Sequence, residues 1–469
     1  VELHCHSNYS FREGASFPEE LLERAFDLDY PALAITDHDN LCGAMEFARA
    51  GKALGIHPII GAEITLTGGF HLTLLAENAH GYKNLSRLLS LSHLFNKRGE
   101  PELDTRSLSE HSSGLIALSG CSKGEISSLF STAPIDEVEK TVRRYLEWFG
   151  ARNFYLELHQ NLVLGDTNRI HALQHLSQQL GVQLVATNNV HYHIRERSRL
   201  QDCLVAIRNR KSLDESHLER RPNSEFFLKS AAEMNILFRD IPEALKNTLR
   251  IADRCSFDLT QELTYSFPDH SVPPAHTTDS YLEELCTQAA RRQYHVITPK
   301  IKERLNHELS LIKKHNLSGF FLMYHEIISI ARNVQEDLGL VDPEIPIEEM
   351  PPGRGRGSSV AMLIGYLIGL SHIDPLQYGL SLERFLPEDE LTSPPDIDLD
   401  FPRDIRENLI KRLHKEYGWE HAVLTGMIST YRYSGAIRDL GKALSLPSDE
   451  IDHLVKSLDR TGPIRLRSL

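Results

Sequence analysis

The sequence predicts an α/β protein in two parts: a barrel-like sheet covered by helices, then an α+β part. Short apolar runs alternate with helical patterns over roughly the first 250 residues, as expected for strands of a parallel sheet joined by helices. That alternation ends at the proline-rich stretch 267–274, which has the composition of a linker. The length of 469 residues is enough for two or three domains.

Composition restricts the class of protein. Hydrophobic residues make up 41% and charged residues 25%, as in a globular protein with sizeable cores. The net charge of −14 argues against a protein that coats nucleic acid, but an enzyme acting on DNA can have a local basic groove. The six scattered cysteines favour a reducing cytoplasm over a disulfide framework. Because the chain opens on Val1 without a methionine, we expect it to be a piece of a longer protein.

The predicted strands of the first part are short and mostly bounded by Gly, Pro, Asn or Asp. They are the runs Ala32–Ile35, Pro58–Gly61, His71–Leu75, Leu115–Leu118, Phe154–Leu158 and Gln183–Ala186. A helix is predicted between residues 18 and 26, with acidic residues in its first turn. This order predicts a parallel sheet, closed or nearly closed into a barrel, with its chemistry at the carboxyl ends of the strands.

After the linker, the pattern changes to a helical block from about Tyr281 to Val334. A Pro/Glu-rich loop at 342–352 and a glycine-rich turn follow. An apolar helix is then predicted from Val360 to Leu370, and an acidic motif lies near residue 396.

Polar side chains recur at the predicted strand ends of the first part. Imidazole, carboxylate and thiolate are the groups that bind divalent transition metals, and several at one barrel mouth could hold two or three ions. A single histidine of this kind is more often a surface or capping residue, so the prediction depends on the whole ordered set. The set comprises His4, His6, Asp37, His38, Glu63, His71, Cys121 and His191.

The glycine-rich turn 353–359 precedes the predicted apolar helix. Backbone N–H groups in such a turn can bind an anion, and Arg354 and Arg356 would add cationic donors. Many glycine turns are only tight connections, so this signal is weak by itself.

The acidic motif 396–400 alternates aspartate with apolar residues. Alternation on a strand places Asp396, Asp398 and Asp400 on one face, where three like charges are unfavourable unless cations neutralise them. Two Mg²⁺ ions on such carboxylates suit phosphoryl transfer, whereas a solvated acidic edge strand is the alternative.

The motifs of the first part resemble those of the polymerase-and-histidinol-phosphatase (PHP) domain. They are His4-x-His6, Thr36-Asp37-His38-Asp39-Asn40, Gly61-x-Glu63, His71, Ser119-Gly120-Cys121 and the segment ending in His191. The resemblance implies a distorted (β/α)7 barrel with a three-metal cluster, of Zn²⁺ or Mn²⁺, and phosphatase or proofreading exonuclease activity. The implied ligands are His4, His6, Glu13, His38, Glu63, His71, Cys121, Asn189 and His191.

Two of these ligands depart from the family pattern. Glu13 and Asn189 both stand where an aspartate is usual, and an amide oxygen is a neutral, weaker donor to a metal. A structural or vestigial metal site is therefore the alternative to an active nuclease.

The second part resembles the catalytic core of the bacterial DNA polymerase III alpha subunit, the C-family, which has a polymerase-beta-like nucleotidyltransferase palm. The resemblance is carried by Gly353–Ser359, Asp374-Pro375, Leu382–Leu386, Pro395–Phe401 and Ala436–Leu444. It implies that Asp396 and Asp398 are catalytic Mg²⁺ ligands and that a third carboxylate lies beyond Leu469. The implied nucleotide-binding residues are Arg354, Arg356, Gly357, Ser358 and Ser359.

The predicted domains are a PHP domain over 1–255, a linker over 256–280, the first part of the palm over 281–430 and the start of the thumb over 431–469. Arg432, Arg438 and Lys442 could contact DNA or could simply form a solvated helix face. The opening Glu2–Asn8 and the motifs 354–359 and 394–398 resemble the error-prone translesion branch.

The expected function is therefore a cytoplasmic DNA-directed DNA polymerase. Its implied partners are primer–template DNA, a deoxynucleoside triphosphate, a sliding clamp and accessory translesion proteins. Two alternatives are a PHP phosphoesterase or 3′–5′ exonuclease, and a PHP scaffold without catalysis that supports the palm.

Overall fold

A computed structural model of the protein describes residues 1–263, 270–382, 386 and 395–461, with the side chains described up to 457. The chain divides into two compact units: residues 1–263 together with 430–469, and residues 264–429. Part of the predicted linker, 264–269, lies outside the described residues, as do 383–385 of the predicted polymerase motif and Pro394. In the part of the chain that is described, no helix has the length and apolar character needed to cross a membrane.

The first unit is built on a sheet whose six strands follow chain order. The strands are β1 (Ala32–Ile35), β2 (His57–Leu66), β3 (Phe70–Ala76), β4 (Leu115–Leu118), β5 (Phe154–His159) and β6 (Gln183–Thr187). The helices are α1 (Pro18–Asp27), α2 (Ala44–Leu54), α3 (Ala79–Leu94), α4 (Thr105–Glu110), α5 (Glu125–Thr132), α6 (Ile135–Phe149), α7 (Asp166–Leu180), α8 (Ser198–Asn209), α9 (Ala231–Leu237) and α10 (Pro242–Arg254).

The sheet is mixed, whereas the alternation of elements predicted a parallel one. The pairs β1–β2, β4–β5 and β5–β6 are parallel, but β3 is antiparallel to both of its neighbours. The physical reason is the tight turn between β2 and β3, where Gly68 and Gly69 have φ values of 92° and 77°. Glycine adopts this left-handed conformation readily, so the chain reverses in a hairpin without a crossover helix.

The N-terminal segment closes the sheet into a barrel. The carbonyl of Glu2 accepts a hydrogen bond from the N–H of Ala34 at 2.9 Å, on the β1 side. On the other side, the N–H of Val190, just beyond β6, donates to the carbonyl of His4 at 2.8 Å. The segment thus lies between the two edges of the six-stranded sheet, joined to them by isolated bridges at Glu2 and Cys5, which is consistent with the predicted barrel.

The carboxylate of Glu2 reinforces this closure. It accepts from the N–H of His4 at 2.8 Å and from the N–H of Asn188 at 2.9 Å, so it joins the segment to the chain that follows β6. Burial raises the pKa of Glu2 to about 7, since desolvation outweighs these hydrogen bonds.

The strands are apolar because helices or barrel interior cover both of their faces. Every residue of β1, β4 and β5 is buried. Continuous apolar runs of this kind are expected where a sheet is covered on both sides.

In the second unit, three long helices lie where the helical block was predicted. They are α11 (Thr278–Tyr294), α12 (Pro299–Lys314) and α13 (Ser318–Asp337). A short antiparallel pair follows, with β7 (Arg354–Arg356) facing β8 (Asp398–Asp400). The helix α15 (Arg403–Tyr417) comes after β8 and packs on α13.

The apolar helix predicted from Val360 to Leu370 is shorter than expected. The chain forms a 3-10 turn over Gly357–Ala361 and then α14 over Leu363–Leu367. The buried carboxylate of Glu308 accepts from the N–H groups of Leu363 and Ile364 at 3.0 and 2.9 Å, which sets the start of α14. Gly369, with φ of 82°, ends the apolar stretch.

The last two helices, α16 (Tyr433–Ala443) and α17 (Ser448–Thr461), belong to the first unit. The carbonyl of Ala443 accepts a hydrogen bond from the N–H of Leu213 at 2.8 Å. The segment predicted as the start of a thumb therefore packs on the region that follows α8.

The role of Glu308 can be tested with Glu308→Gln. The amide would put a donor against backbone N–H donors, and a loss of about 1–3 kcal/mol is typical for such a buried group. We expect the amides of Leu363 and Ile364 to exchange hydrogen about 10–100-fold faster, measured by mass spectrometry on that peptide. Glu303→Gln, an exposed position on the same helix, is the control and should leave the exchange unchanged. Equal exchange in both variants would contradict the capping role.

Candidate metal pocket and acidic strand

The predicted metal ligands of the first unit converge at one end of the barrel. The closing segment brings His4 and His6, β2 brings Glu63, and the start of the reversed β3 brings His71. We call this group the Glu63 pocket. Its members are His4, His6, Glu13, His38, Glu63, His71, Cys121, Asn189 and His191.

The carboxylate of Glu63 lies at the centre of the pocket, 1% exposed. Its Oε1 is 3.3 Å from Nε2 of His4 and 3.1 Å from Nδ1 of His71. Its Oε2 is 3.5 Å from Nε2 of His6 and 3.0 Å from Nδ1 of His38. Both oxygens thus face two imidazoles each.

The remaining ligands extend the pocket in two directions. Sγ of Cys121 is 3.6 Å from Nδ1 of His71. On the other side, Oε2 of Glu13 is 2.7 Å from Nε2 of His38, and Oδ1 of Asn189 is 3.2 Å from Nε2 of His6.

Three of these spacings, from Glu63 to His4 and His6 and from Cys121 to His71, fit the shared ligands of metal ions. Two ligands of one tetrahedral ion with bonds of about 2.0–2.2 Å lie about 3.3–3.6 Å apart. Among the described residues, Nε2 of His4 and Oε1 of Glu63 are buried and have no hydrogen-bond partner. Buried polar atoms are normally satisfied, so two such atoms facing each other fit a cation between them.

Among the described residues, four sets of side chains have ligand atoms close enough to share an ion, and three of these sets include Glu63 or His38. The first position is formed by His4, His6 and Glu63, the second by His38, Glu63 and His71, and the third by His6, His38 and His191. The first two share the only carboxylate found in these three sets, and the third consists of imidazoles alone.

Burial and neighbouring charges shift the pKa values of the side chains in the pocket. Burial favours the neutral form of Glu63, but the imidazoles of His71, His38 and His4 outweigh it and hold the pKa of that carboxyl well below its usual range. Burial also opposes the charge of His4, yet the carboxylates of Glu157 and Glu63 hold its pKa well above the ordinary value. His38 has its pKa lowered to about 4, chiefly by burial. Burial raises the pKa of the Cys121 thiol to about 12.

Glu157, which orients His4, was not among the predicted site residues. The Glu157 carboxylate lies 2.8 Å from Nδ1 of His4, so Nδ1–H donates to it and Nε2 faces Glu63. The same carboxylate contacts Nε2 of His159 at 3.1 Å and accepts from the hydroxyl of Thr187 at 2.6 Å. The available signal was a charged residue within the apolar run of β5.

Asp37, which was predicted together with the metal-binding residues, instead accepts hydrogen bonds from the loop that follows His6. Its carboxylate accepts from the N–H and hydroxyl of Ser7, both at 2.7 Å, and from the hydroxyl of Ser10 at 2.6 Å. It therefore fixes the loop that follows His6.

In the second unit, the acidic motif has the predicted alternation, and its last three residues form β8 (Asp398–Asp400). Asp396, Asp398 and Asp400 are exposed, whereas Ile397 is buried and packs into the core of the unit. The strand pairs with the glycine-rich turn, so that Arg356 lies opposite Asp398.

This pairing places arginines and aspartates on one exposed surface. Arg354 lies opposite Asp400, and Nε of Arg356 is 2.9 Å from Oδ2 of Asp400. Gly355 permits the close packing behind them, because a Cβ there would lie 2.6 Å from the carbonyl oxygen of Leu370.

The residues of the predicted nucleotide-binding turn differ in their exposure to solvent. Gly357, at φ of 74°, and Ser358 are exposed. Ser359 is buried, and its hydroxyl donates to the carbonyl of Arg356 at 2.9 Å, so it stabilises the turn.

The predicted DNA-contacting residues lie on or beside α16 in the first unit. Arg432 and Lys442 are exposed, while Nη1 of Arg438 forms an ion pair with Oδ1 of Asp452 on α17 at 2.7 Å. Their contact with DNA stays a prediction.

Two family models match parts of the chain. Residues 2–161 match the PHP domain, and residues 280–468 match the bacterial DNA polymerase III alpha NTPase domain. Among solved structures, an amidohydrolase from Chromobacterium violaceum with bound sulfate is 16% identical at a TM-score of 0.31, covering 40% of this chain and 87% of that chain.

Curated relatives match nearly the whole chain. An error-prone DNA polymerase of Symbiobacterium thermophilum is 38% identical, over 98% of this chain and 42% of its own length. A DNA polymerase III subunit alpha of Borreliella burgdorferi is 34% identical, over 100% of this chain and 41% of its own length. The chain thus spans about two fifths of the length of these relatives.

Residues 2–161, which include most of the barrel, thus match the PHP domain, and residues 280–468 match the polymerase III alpha NTPase domain. Over nearly its whole length the chain is similar to bacterial DNA polymerases.

Glu157→Gln tests how the pocket holds metal. The variant would lose the charged acceptor that orients His4, and loss of such a supporting group typically lowers metal affinity about 10–100-fold. We expect this loss for Zn²⁺, measured by competition with a chromophoric chelator. Glu147→Gln, exposed on α6, is the matched control and should bind as the unaltered protein does. Unchanged affinity in Glu157→Gln would show that His4 needs no such support.

Proposed function

We propose that this protein is a DNA-directed DNA polymerase in which the β7–β8 pair is part of the nucleotidyl-transfer site. The supporting observation is the charge distribution on the exposed surface of that pair. Among the described residues, Arg356 forms an ion pair with Asp400, whereas no ion pair involves Asp396 or Asp398. Unpaired carboxylates on adjacent outward positions suit divalent cations.

The reaction we propose is attack of a primer 3′-hydroxyl on the α-phosphate of a deoxynucleoside triphosphate, with pyrophosphate leaving. Mg²⁺ bound there would stabilise the charge on the attacking and leaving oxygens. Asp396 and Asp398 hold the ions, and Arg354 and Arg356 bind the triphosphate. The N–H groups of the turn at Gly357 and Ser358 add neutral donors to its oxygens.

The error-prone translesion branch is the proposed subgroup. A relative named error-prone DNA polymerase is 38% identical, and one named DNA polymerase III subunit alpha is 34% identical. Primer–template DNA, a sliding clamp and accessory translesion proteins are the proposed partners, with the cytoplasm as location. Arg432, Arg438 and Lys442 are the proposed contacts to the DNA backbone.

Asp398→Asn tests the polymerase proposal. Removal of one anionic ligand should weaken Mg²⁺-dependent binding of a fluorescent deoxynucleoside triphosphate by about 10–100-fold, since a charged contact contributes about 1.5–3 kcal/mol. Primer extension by the protein extended to the length of its relatives should fall at least as much. The control is Asp404→Asn, which removes the same charge from an exposed position on α15. Equal binding and extension in Asp398→Asn and the unaltered protein would contradict the assignment.

A second candidate activity is metal-dependent phosphoesterase or 3′–5′ exonuclease chemistry in the PHP domain. It is favoured by the three sets of ligand atoms around Glu63 and His38. Divalent ions there would supply an activated water and bind the phosphate. A scaffold role for the domain is the competing hypothesis.

Glu63→Ala separates these two roles. If the pocket is catalytic, the unaltered protein should release nucleotides from a 3′-labelled oligonucleotide when Mn²⁺ or Zn²⁺ is present, and the variant should lose that release. Glu262→Ala, an exposed acidic position in the same unit, is the control. If the unaltered protein releases nothing, and Glu63→Ala changes only the melting temperature, the scaffold hypothesis holds instead.

A further inference from the structure

One side of the Glu63 pocket contains an arginine that none of the sequence motifs includes. Arg221 lies in the segment between α8 and α9, and its guanidinium lies over the ring of Phe226, 4.7 Å from the ring centre. Nη2 of Arg221 donates a hydrogen bond to Nε2 of His191. A permanently charged group thus reaches one of the nine predicted ligands.

The hydrogen bond uses the nitrogen that a metal would need. Nδ1 of His191 is 2.8 Å from the carbonyl oxygen of Asn189, so Nδ1 carries the proton and donates it there. The lone pair of His191 is then on Nε2, which is the atom that Arg221 contacts. Because one lone pair cannot serve both a guanidinium N–H and a metal ion, Arg221 competes with metal at this ligand.

The other ligands on this side carry little free negative charge. Asn189 is an amide in place of a carboxylate, and its Oδ1 faces His6. The carboxylate of Glu13 forms an ion pair with Arg208 of α8. The third position, formed by His6, His38 and His191, therefore has neutral ligands with two arginines beside it.

The first and second positions differ in charge from the third. Both include the Glu63 carboxylate, and among the described residues their ligands form no hydrogen bond or ion pair with an arginine. The charge of Arg221 acts on Glu63, His6 and His38 at longer range, and the Glu63 carboxylate offsets it at these two positions. Repulsion between a guanidinium and a divalent ion within a few ångströms is large where the surroundings are buried. The electrostatic conditions thus favour ions at two positions and oppose one at the third.

We propose that Arg221 is a built-in cation that replaces the third metal ion, so that the pocket binds two divalent ions. The inference rests on the metal pocket proposed above. Phe226 orients the guanidinium, and Asn189 removes the charge that would otherwise attract an ion. Arg208 neutralises the remaining carboxylate, that of Glu13.

The test is a count of bound zinc in matched double variants. Metal-free protein is equilibrated with Zn²⁺, freed of excess and measured by plasma mass spectrometry. We expect two zinc ions per chain in the unaltered protein and three in Asn189→Asp/Arg221→Met, in which the charge returns and the guanidinium is removed. The control is Asn189→Asp/Arg199→Met, which removes an exposed arginine of α8 and should stay at two.

Each other outcome has a distinct meaning. Three ions in the unaltered protein or in the Arg199 control, or two in the Arg221 variant, would overturn the role of Arg221 and leave the metal pocket intact. No zinc in the unaltered protein would overturn the pocket itself and this inference with it. The polymerase proposal, whose metal and triphosphate ligands lie in the other unit, would be unaffected.

A second measurement does not depend on the variants folding. Crystals of the unaltered protein grown with Zn²⁺ should show anomalous scattering beside Glu63 and none within bonding distance of Nε2 of His191. A zinc ion bonded to that nitrogen would overturn the proposal.

Discussion

The carboxylate of Glu63, buried among four imidazoles, is the interaction around which the mouth of the barrel is organised. An isolated buried carboxylate is costly, so it must be matched by positive charge, from protonated imidazole or from metal. Three chain segments supply that match: the closing N-terminal segment with His4 and His6, the loop after β1 with His38, and the start of β3 with His71. Each segment has to bring its histidine to this point for the charge of Glu63 to be neutralised.

The barrel depends on the same arrangement. Backbone hydrogen bonds hold the N-terminal segment between β1 and the chain after β6, and they fix the positions of His4 and His6. On the far side of His4, Glu157 directs the remaining nitrogen toward Glu63. Closure of the barrel and assembly of the pocket therefore depend on the same backbone hydrogen bonds, and a change that opens the barrel should also separate the ligands.

Local sequence patterns predicted much of the barrel and of the Glu63 pocket. The six strands were predicted from short apolar runs, and most of the ligand set from polar residues at their ends. Glu13 and Asn189 were implied by the resemblance to the PHP domain. The two glycines between β2 and β3 could have predicted the antiparallel hairpin, because such a pair favours a tight turn. Glu157 and Arg221 could not be assigned from spacing, because their roles depend on contacts 153 and 30 residues away in the chain. In the second unit, alternation predicted the outward face of Asp396, Asp398 and Asp400. The pairing of Arg356 with that strand is a long-range register that no local pattern contains.

The central claim is that the chain has two separate cation sites, one in each unit. The most direct test is anomalous diffraction from crystals soaked in Mn²⁺ with a deoxynucleoside triphosphate. We expect manganese beside Glu63 in the barrel and beside Asp396 and Asp398 of the acidic motif. Manganese only at the barrel would contradict the polymerase assignment, and manganese only at the acidic strand would contradict the metal pocket.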